Sequence, residues 1–426
     1  MTLTVRPAKF LRGAVHLPSS KSYSIRAFLI AACGGVSRII DPSDCDDARI
    51  AIVASRKLGA RVKRYPKNVW QVNASLKKIK SSVINVGESG TVLRLILPLL
   101  ALKAEKIKVI GEGTLLPRPN SFLLGTLRKM GAKIKGRGKK ESVPIIFKGG
   151  ILRGGAITID GTLSSQFISA LLAAAPQLGQ DTRLTVTGKK MVSETYITMT
   201  EEILKKAGIK IKKAGRRVFL IKGNQKFRGL KNFTVPSDYG LAAFFLAAAA
   251  LVPSNLVLRG FLTDNLIQSD GKILDFLRRM GVKFRKTEKE ISVRGPFVLK
   301  GGNFSLKDCP DLVPIMSVVA LFAKGKTRLY DIGHARAKES DRLSDLRGEL
   351  LKIGVDIKEG KSEIVISPRL SYRKNTLLDP HHDHRLAMSF AVLGLKLGAR
   401  IKDMECVSKS YPQFVRDLKK IGARAF

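Results

Sequence analysis

The chain carries six apolar runs, each of which begins with a short cluster of small or polar residues. A Ser, Thr or Asp directly before such a run is typical of a helix N-terminus, because its side chain accepts a hydrogen bond from the first free backbone N–H groups. The pattern therefore predicts helices at Ser19–Ala32, Glu88–Leu100, Ser164–Pro176, Pro236–Leu251, Asp308–Ala323 and His382–Leu397.

A second pattern marks the ends of further helices. An apolar residue is followed by Gly, which terminates a helix, and then by alternating residues that predict a strand. The segments with this pattern are Leu58–Val62, Met130–Ile134, Ala207–Ile211, Met280–Phe284, Ile353–Ile357 and Ile421–Ala425.

The two patterns alternate and recur together along the chain. Aligned on Ser22, Ser89, Ser164, Ser237, Cys309 and His382, the helix starts are 67, 75, 73, 72 and 73 residues apart. A nearly constant period indicates a repeated structural unit. Each unit predicts a strand, a polar-started helix, a strand, an amphipathic helix and one or two further strands. We therefore expect an α/β (α+β) fold built from six such repeats.

The segment Pro18–Ala27 combines a helix start with two cations, Lys21 and Arg26. Free N–H groups and the positive end of the helix dipole make a helix N-terminus suitable for a phosphate. Most Ser-rich helix starts bind nothing, and the repeats by themselves are equally compatible with a symmetric scaffold that has no shared function. Recurrence of the same feature nevertheless favours binding of anions, provided that the repeats pack alike.

Composition narrows the class of protein. The net charge is +43, which attracts anionic metabolites and nucleic acid alike. Aromatic residues make up only 6% and do not alternate with the basic runs, which argues against stacking on nucleic-acid bases. The four cysteines form no paired-ligand spacing, and no segment resembles a signal peptide or a membrane span. We expect a cytoplasmic protein with reduced thiols that makes no membrane contact.

The residues at the helix starts, taken in order, resemble the EPSP synthase (3-phosphoshikimate 1-carboxyvinyltransferase) family over the whole chain. The matching motifs are Ser20-Lys21-Ser22 with Arg26, Gly87-Glu88-Ser89-Gly90-Thr91 with Arg94, Arg118-Pro119, Ser164-Ser165-Gln166-Phe167, Ser193 with Tyr196, Asp311, Lys338-Glu339-Ser340-Asp341-Arg342, Asp383-His384-Arg385 and Lys409.

The resemblance implies two similar domains, each of three βαβαββ-type repeats, with the active site in the interdomain cleft. One domain would comprise residues 1–18 and 235–426, and the other residues 19–234. The implied reaction transfers the enolpyruvyl group of phosphoenolpyruvate to the 5-hydroxyl of shikimate 3-phosphate in the shikimate pathway to chorismate and the aromatic amino acids. No metal or other cofactor is implied, and no specific nucleic-acid partner is expected. We further expect a monomer.

The resemblance also assigns residues to each substrate. Arg gives forked contacts to phosphate and carboxylate, and hydroxyl and amide groups suit a polyhydroxylated ring. Phosphoenolpyruvate is expected at Lys21, Gly90, Arg118, Gln166, Arg342, Arg385 and Lys409. Shikimate 3-phosphate is expected at Lys21, Ser22, Arg26, Ser164, Ser165, Gln166, Ser193, Tyr196, Asp311 and Lys338.

The reaction is an addition followed by an elimination, so the methylene carbon of phosphoenolpyruvate gains a proton while the 5-hydroxyl attacks. Glu339 is the candidate acid at the methylene and Asp311 the candidate base at the hydroxyl. Lys21 and Lys409 are candidates to stabilise the departing phosphate or to transfer a proton. The resemblance does not select one proton path among these four residues.

Simpler interpretations stay open for several of these residues. Glu339 and Asp341 could form a solvated acidic turn, Asp311 could be an N-cap, and Tyr196 could be an ordinary core aromatic. The tract His381-His382-Asp383-His384 looks like a metal site, but no cysteine or carboxylate cluster completes it. We expect His384 to position Arg385.

Two residues depart from the family pattern. Glu88 stands where many members have Asn, and a carboxylate there would repel phosphoenolpyruvate unless a cation such as Lys21 or Arg118 neutralised it. His334 stands where Asn is common. Both concern details of binding and leave the expected reaction class unchanged.

Two other functions remain as alternatives. A related family transfers enolpyruvate to UDP-N-acetylglucosamine, but it usually shows Lys-Asn at the first motif and a reactive Cys or Asp in the loop before the Arg of the third motif. This chain has Lys21-Ser22 and Thr114-Leu115-Leu116 at those places. The large positive charge leaves a nucleic-acid-binding or RNA-processing protein as the alternative from another class.

Overall fold

The structure is a computed structural model that describes residues 1–74, 81–103 and 105–426. Its contacts divide the chain into two compact units. One, here called the split unit, contains Met1–Ser19 and Pro236–Phe426, and the other, the continuous unit, contains Ser20–Val235. The chain begins in the split unit with strands β1 (Leu3–Val5) and β2 (Leu11–His16).

The continuous unit repeats one order of elements three times. Its helices are α1 (Lys21–Ala31), α2 (Asp46–Lys57), α3 (Gly90–Ala101), α4 (Ser121–Lys129), α5 (Ser165–Ala174) and α6 (Glu194–Lys206). Its strands are β3 (Val36–Ile40), β4 (Arg61–Tyr65), β5 (Val69–Asn73), β6 (Val83–Asn85), β7 (Lys106–Ile110), β8 (Ile134–Arg137), β9 (Ser142–Lys148), β10 (Gly155–Asp160), β11 (Thr182–Thr187), β12 (Ile211–Lys213), β13 (Val218–Ile221) and β14 (Lys231–Thr234).

These strands form four-stranded sheets of one topology, ordered β14-β3-β5-β4, β6-β7-β9-β8 and β10-β11-β13-β12. In each sheet the first two strands are parallel and the other neighbours are antiparallel. The first strand comes from the preceding repeat, and β14 from the end of the unit pairs with β3 near its beginning. The last repeat thereby closes onto the first.

The split unit continues the same order of elements. Its helices are α7 (Tyr239–Leu251), α8 (Lys272–Arg279), α9 (Val313–Ala320), α10 (Arg342–Lys352), α11 (His384–Leu397) and α12 (Phe414–Lys420). Its remaining strands are β15 (Ser254–Arg259), β16 (Phe284–Lys286), β17 (Glu290–Gly295), β18 (Leu299–Lys300), β19 (Asn303–Ser305), β20 (Ala323–Lys324), β21 (Thr327–Tyr330), β22 (Asp356–Glu359), β23 (Glu363–Ser367), β24 (Thr376–Leu378) and β25 (Ala399–Ile401).

The sheets of the split unit show the same plan with one reduction. They are ordered β16-β17-β15-β2, β19-β21-β23-β22 and β1-β25-β24, with β18 and β20 as a separate short pair. The N-terminal strand β2 is parallel to β15, with Leu11 opposite Ser254, so the first residues of the chain complete a sheet of the fourth repeat. The α/β repeat fold predicted from the sequence is confirmed.

The helix starts carry the predicted caps in five repeats. Side-chain oxygens of Ser20, Ser89, Ser164, Asp238 and Asp383 accept hydrogen bonds from backbone N–H groups of α1, α3, α5, α7 and α11. The fifth repeat differs, because α9 follows a 3₁₀ turn at Pro310–Leu312 and has no side-chain cap. Pro310 cannot donate a backbone hydrogen bond, which explains why the first turn there is irregular.

The glycine-terminated helix ends are confirmed in all six repeats. Helices α2, α4, α6, α8, α10 and α12 end before a Gly with positive φ, at Gly59, Gly131, Gly208, Gly281, Gly354 and Gly422. Only Gly adopts this left-handed conformation without a steric penalty, so the position stops the helix and directs the chain into the next strand.

The polar-started helices form the core of each unit. In the continuous unit α3 packs against α1 and α5, and in the split unit α7, α9 and α11 pack against one another. Every residue of α7 is buried, which explains its apolar sequence on all faces. At 13 residues α7 is too short to cross a bilayer, and no other helix in the described part of the chain is long and apolar enough to do so.

Candidate active site

The start of α1 holds the first predicted lysine against a carboxylate. Lys21 Nζ lies 3.1 Å from Asp47 Oδ2 at the start of α2, and both side chains are largely buried. Ser20 caps the helix through Tyr23 N, while Ser22 keeps an intermediate exposure. An ammonium held by a neighbouring helix is a fixed cation at a helix N-terminus, and this favours an anionic ligand.

Arg26 lies inside the continuous unit, with 1% of its surface exposed. Its Nε donates to Thr200 Oγ1 at 2.8 Å, Nη1 donates to the carbonyl of Ser22 at 3.0 Å and Nη2 to the carbonyl of Tyr196 at 3.4 Å. Burial lowers the pKa of Arg26 to about 10. The guanidinium therefore joins the predicted ligands Ser22 and Tyr196, whose ring lies 5.7 Å from its central carbon.

Arg118 lies against the start of α3. A Cβ added at Gly90 would stand 2.8 Å from Arg118 Nη1, closer than real side chains approach. Glycine at this position is therefore what allows the guanidinium to lie beside the helix N-terminus. This contact brings together two residues that the sequence assigned to phosphoenolpyruvate.

Glu88, the departure from the family pattern, accepts hydrogen bonds from Thr114. The backbone N–H of Thr114 donates to Glu88 Oε2 at 2.9 Å and the Thr114 hydroxyl donates to the same oxygen at 2.6 Å. Arg118 Nη2 donates to Thr114 Oγ1 at 3.4 Å. The carboxylate thus fixes the 3₁₀ turn Gly113–Leu115, which in turn contacts Arg118.

Gln166 joins α5 to α3. Its Oε1 accepts a hydrogen bond from Arg94 Nη1 at 2.6 Å, and its Nε2 donates to Thr91 Oγ1 at 2.9 Å. Ser164 caps α5, and Ser165 in the first turn is 3% exposed. The hydroxyls and the amide predicted to bind substrate therefore lie together at two adjoining helix starts.

Ser193 has φ 54° and ψ 41°, the left-handed conformation, at the start of α6. A non-glycine residue pays of order 1 kcal/mol or more for this conformation. Its side chain makes no capping hydrogen bond to α6, so the strained backbone does not serve the helix itself. Strain held at a predicted ligand is typical of functional sites.

Arg342 forms the centre of the predicted site in the split unit and is 1% exposed. Its Nη1 lies 2.6 Å from Asp311 Oδ1, its Nη2 2.9 Å from Glu339 Oε2 and its Nε 2.7 Å from Asp383 Oδ2. Three carboxylates from three parts of the chain thus surround one guanidinium, and they raise the pKa of Arg342 despite its burial.

Asp311 lies within reach of three cations. Besides Arg342, its carboxylate lies 3.3 Å from Lys338 Nζ and 3.6 Å from Arg385 Nη2. Burial alone would raise its pKa, but Lys338, Arg342 and Arg385 hold the pKa of Asp311 well below the ordinary value. The residue lies inside the 3₁₀ turn Pro310–Leu312 and caps no helix, so the N-cap interpretation is wrong.

Arg385 extends from the first turn of α11 and is 3% exposed. Its Nη1 donates to the carbonyl of Gly240 at 2.8 Å, and its buried Nε has no hydrogen-bond partner. Lys409, at the end of the 3₁₀ helix Met404–Lys409, is 7% exposed. Both cations are therefore withdrawn from bulk water, which strengthens their interaction with an anion.

The acidic turn before α10 is not a solvated turn. The side chain of Glu339 is 10% exposed and paired with Arg342. Asp341 caps α10 through Leu343 N and Ser344 N and also pairs with Arg336 at 3.0 Å. The interpretation of Glu339 and Asp341 as a free acidic turn is therefore wrong.

His334, the second departure from the pattern, is half-buried in the 3₁₀ helix Gly333–Ala337. Burial, reinforced by Lys338, lowers the pKa of His334 to about 3. The imidazole is consequently neutral at physiological pH, and its Nε2 has no hydrogen-bond partner.

The histidine tract divides between separate partners. His381 Nε2 lies 3.2 Å from Glu349 Oε1, and His382 Nδ1 lies 2.5 Å from Asp403 Oδ2. His384 is buried in the first turn of α11. Within the described residues no group of three or more His, Cys, Asp or Glu side chains could hold a metal ion. The four cysteines are free thiols.

The structure thus brings the predicted residues into one group in each unit, apart from Lys409, which it buries elsewhere in the split unit. Sequence reasoning missed several partners that hold these residues: Asp47, Thr200, Asp238, Gly240 and Asp270. Asp238 had a usable signal, because it directly precedes an apolar run. The others are distant in sequence from the groups they contact, and only tertiary structure reveals them.

These features define a class of protein: an α/β repeat protein with buried cations and carboxylates at helix starts, suited to small anionic substrates. The family model described as EPSP synthase (3-phosphoshikimate 1-carboxyvinyltransferase) matches residues 5–418. The chain belongs to this family.

Curated relatives agree in length and name. The 3-phosphoshikimate 1-carboxyvinyltransferase of Methanocaldococcus jannaschii is 35% identical over 426 residues, covering 99% of this chain and 98% of the relative. That of Methanosarcina mazei is 37% identical over 421 residues, covering 97% and 96%. That of Clostridium beijerinckii is 35% identical over 431 residues, covering 99% and 97%.

Solved structures show the same fold. EPSP synthase from Acinetobacter baumannii superposes with a TM-score of 0.80 at 25% identity, covering all of this chain and 99% of that one. The enolpyruvyl transferase NikO from Streptomyces tendae has a TM-score of 0.79 at 18% identity and shares the fold. The resemblance inferred from the sequence is confirmed. The nucleic-acid and UDP-sugar alternatives are not favoured.

Proposed function

We propose that this chain transfers the enolpyruvyl group of phosphoenolpyruvate to the 5-hydroxyl of shikimate 3-phosphate, forming 5-enolpyruvylshikimate 3-phosphate and phosphate. It is a 3-phosphoshikimate 1-carboxyvinyltransferase of the shikimate pathway to chorismate and the aromatic amino acids. The observation that carries the proposal is the family match over residues 5–418, which includes every predicted site residue.

Shikimate 3-phosphate is assigned chiefly to the continuous unit. Lys21 supplies a cation at a helix start, and the hydroxyls of Ser22, Ser164, Ser165 and Ser193 suit the ring and its phosphate. The assignment also includes Arg26, Gln166, Tyr196, Asp311 and Lys338. The buried guanidinium of Arg26 already donates to Ser22, Tyr196 and Thr200. Arg26 therefore contributes at least by fixing the backbone of two other ligands.

Phosphoenolpyruvate is assigned to cations of both units. Arg118 beside Gly90, together with Gln166 and Lys21, belongs to the continuous unit, and Arg342, Arg385 and Lys409 to the split unit. A guanidinium binds phosphate or carboxylate in a forked geometry, so three arginines suit a ligand that carries both groups.

The ion pairs of Asp311 suggest how substrate binding prepares the reaction. In the structure the pKa of Asp311 is low because Lys338, Arg342 and Arg385 surround it. An anionic substrate that attracts Arg342 and Arg385 weakens these pairs, and the pKa of Asp311 then rises toward its ordinary value. Asp311 becomes a better base for the 5-hydroxyl when the substrate is in place.

Glu339 is proposed as the acid that protonates the methylene carbon. Its carboxylate contacts Arg342 Nη2, which opposes protonation while no substrate is bound. A substrate carboxylate that takes over this guanidinium removes the opposing charge. Lys21 and Lys409 are proposed to stabilise the departing phosphate.

A phosphate-release assay tests the reaction. Protein is incubated with shikimate 3-phosphate and phosphoenolpyruvate together, and with each alone. We expect phosphate only from the complete mixture, in amounts equal to the enolpyruvyl product identified by mass spectrometry. Equal release from phosphoenolpyruvate alone would contradict the proposal, as would tight oligonucleotide binding at physiological salt without turnover. We expect turnover to persist in the presence of a chelator.

The variant Lys21→Met and a matched control complete this test. Lys21 is held by Asp47, whereas Lys222 pairs with Asp181 on the surface with 83% of its side chain exposed. We expect Lys21→Met to lose most turnover and Lys222→Met to retain it. Equal losses would point to the total positive charge and away from the assigned site.

We also propose the organisation of the working enzyme. The two domains are assigned to residues 1–18 with 235–426 and to residues 19–234, which is supported by the contact division at Ser19/Ser20 and Val235/Pro236. A cytoplasmic monomer is proposed, because one chain carries the complete set of assigned residues. Sedimentation at working concentration tests the monomer.

A further inference from the structure

Asp270 is a buried carboxyl group that no motif identified. It lies in the 3₁₀ turn Ser269–Gly271 before α8, with 6% of its surface exposed. Its Oδ1 is buried and has no hydrogen-bond partner. A carboxylate removed from water without compensating hydrogen bonds is strongly disfavoured, so the neutral acid is favoured at such a place.

The missing side chain of Gly240 shows how closely Asp270 approaches the site. A Cβ added at Gly240 would stand 2.4 Å from Asp270 Oδ2, 2.9 Å from Arg385 Nη1 and 3.1 Å from Asp238 Oδ1. These three charged groups therefore converge on one glycine at the start of α7. Asp270 lies behind Arg385, and Asp311 also contacts that guanidinium.

The charges in this group do not balance. Among the described residues, the carboxyls of Asp238, Asp270, Asp311, Glu339 and Asp383 contact or adjoin Lys338, Arg342 and Arg385. If all five carboxyls were ionised, the group would carry a net negative charge and would repel an anionic substrate. One bound proton reduces this repulsion, and the carboxyl without a pairing contact is the one that costs least to protonate.

We propose that Asp270 is a positioning residue that carries a proton when phosphoenolpyruvate is bound, so that binding at Arg342 and Arg385 is coupled to a protonated carboxyl behind them. The proposal rests on the proposed function, because it assumes that these arginines bind phosphoenolpyruvate. The acid touches no reacting atom. It acts through Arg385, whose charge stays available to the substrate while Asp270 is neutral.

The electrostatic surroundings of Asp270 agree with this role. Burial raises its pKa to about 7, Asp311 and Asp238 raise it further, and Arg385 and Lys338 oppose them. The thiol of Cys309, from the turn before α9, also faces this carboxyl. A substrate anion nearby adds another negative charge, so binding between about pH 7 and 8 shifts Asp270 further toward its protonated form.

The pH dependence of the KM for phosphoenolpyruvate tests the proposal. Asp270→Asn keeps the shape and is neutral at every pH, and Asp275→Asn on the exposed face of α8 is the control. The ratio of wild-type to Asp270→Asn KM should be near one at pH 6 and should rise by up to about tenfold per pH unit above pH 7, while kcat changes little. The titration of the substrate is common to both proteins and cancels in this ratio.

A ratio that stays constant from pH 6 to pH 9 would overturn the proposal, as would equal behaviour of Asp275→Asn and Asp270→Asn. A second measurement needs neither substrate nor variant folding. Infrared spectra of unliganded wild-type protein with isotope-labelled aspartate should show a carboxylic acid band that disappears as the pH passes about 7. Absence of this band overturns the proposal, whereas its presence without any turnover would count against the proposed function alone.

Discussion

Gly90 and Arg118 are in contact only because Gly90 has no side chain. A Cβ there would stand 2.8 Å from Arg118 Nη1, with Leu115 as its next neighbour at 3.8 Å. The overlapping atom is the end of a flexible side chain, so the protein can relieve the contact by moving the guanidinium without disturbing the helix. This geometry separates ligand binding from folding at one position.

Gly90→Ala should therefore weaken phosphoenolpyruvate more than shikimate 3-phosphate. A displaced Arg118 loses its forked contact, and we expect KM for phosphoenolpyruvate to rise about tenfold, which corresponds to about 1.4 kcal/mol. Binding of glyphosate, a phosphoenolpyruvate-like inhibitor of the family that the sequence resembles, should weaken in parallel. Steady-state kinetics with each substrate varied, and inhibition by glyphosate, provide the measurement.

Gly125→Ala is the control for this prediction. It lies on α4 in the same unit, and a Cβ there would meet only Arg128 Nη2 at 3.9 Å. Alanine is favoured over glycine in a helix, so this variant should be slightly more stable with unchanged kinetics. Equal weakening of both substrates by Gly90→Ala would argue against the assignment of Arg118 to phosphoenolpyruvate.

Glu339→Gln should lose turnover while retaining ligand binding. The amide keeps the size of the side chain and still accepts a hydrogen bond from Arg342, but it cannot deliver a proton to the methylene carbon. We expect kcat to fall by about 100-fold to 10,000-fold, the usual contribution of a general acid. Equilibrium binding of shikimate 3-phosphate with glyphosate should change by less than about threefold.

The surface pair Glu363 with Arg328 offers a comparison of like chemistry, because Glu363→Gln also removes a carboxylate from an arginine. That variant should behave as wild type, since exposed ion pairs contribute little. Near-normal kcat in Glu339→Gln would remove this residue from the chemistry and leave it as a structural partner of Arg342.

Ser193→Gly should raise stability or leave it unchanged while weakening substrate binding. Glycine adopts the left-handed conformation at φ 54° without strain, which offsets the entropy that it loses on folding. We expect a change of between zero and about 1 kcal/mol in favour of folding. Loss of the hydroxyl should raise KM for shikimate 3-phosphate about tenfold, the amount expected for one hydrogen bond to a charged or polyhydroxylated ligand.

Ser193→Ala completes this pair of variants. It loses the same hydroxyl but keeps the backbone strain, so it should match Ser193→Gly in KM and fall below it in the free energy of unfolding. Both quantities come from the same preparations by kinetics and urea denaturation. An unchanged KM in both variants would remove Ser193 from the substrate site.

The charges of the two groups of site residues differ in kind. In the continuous unit Lys21, Arg26 and Arg118 lie among hydroxyls, carbonyls and a few carboxylates, which suits binding of an anion. In the split unit Arg342 and Arg385 lie among carboxyls, which suits proton transfer as well as binding. We infer that substrate affinity depends on both groups, whereas the acid–base chemistry depends on the second.

Local sequence signals were sufficient for the repeat fold. Capping residues such as Ser89 and helix-ending glycines such as Gly131 act on their own turn, so the sequence reveals them directly. Asp311 was harder to interpret, because an acid before an apolar run resembles an N-cap, and Pro310 and the surrounding cations decide otherwise. Asp270 could not be found from sequence at all, because its significance comes from contacts with residues far along the chain.

Asp311→Asn should destabilise the protein at neutral pH and leave the acid range almost unaffected. The folded state lowers the pKa of Asp311 through Lys338, Arg342 and Arg385. A group with a lowered pKa contributes stability above its unfolded pKa of about 4 and loses it as the pH falls through the lower folded value. The difference between wild type and variant should therefore be constant from about pH 5 to 8 and shrink only below about pH 4.

The expected cost is about 2 to 4 kcal/mol at pH 7, because one partner is removed from a largely buried group of ion pairs. Urea denaturation at pH 7 and at pH 3 measures it. Asp181→Asn is the comparison, since Asp181 also has a lowered pKa but pairs with Lys222 on the surface, where solvent screens the interaction. A similar small effect in both variants would show that Lys338, Arg342 and Arg385 are held mainly by their other partners, and the proposed competition between Asp311 and substrate for these cations would then fail.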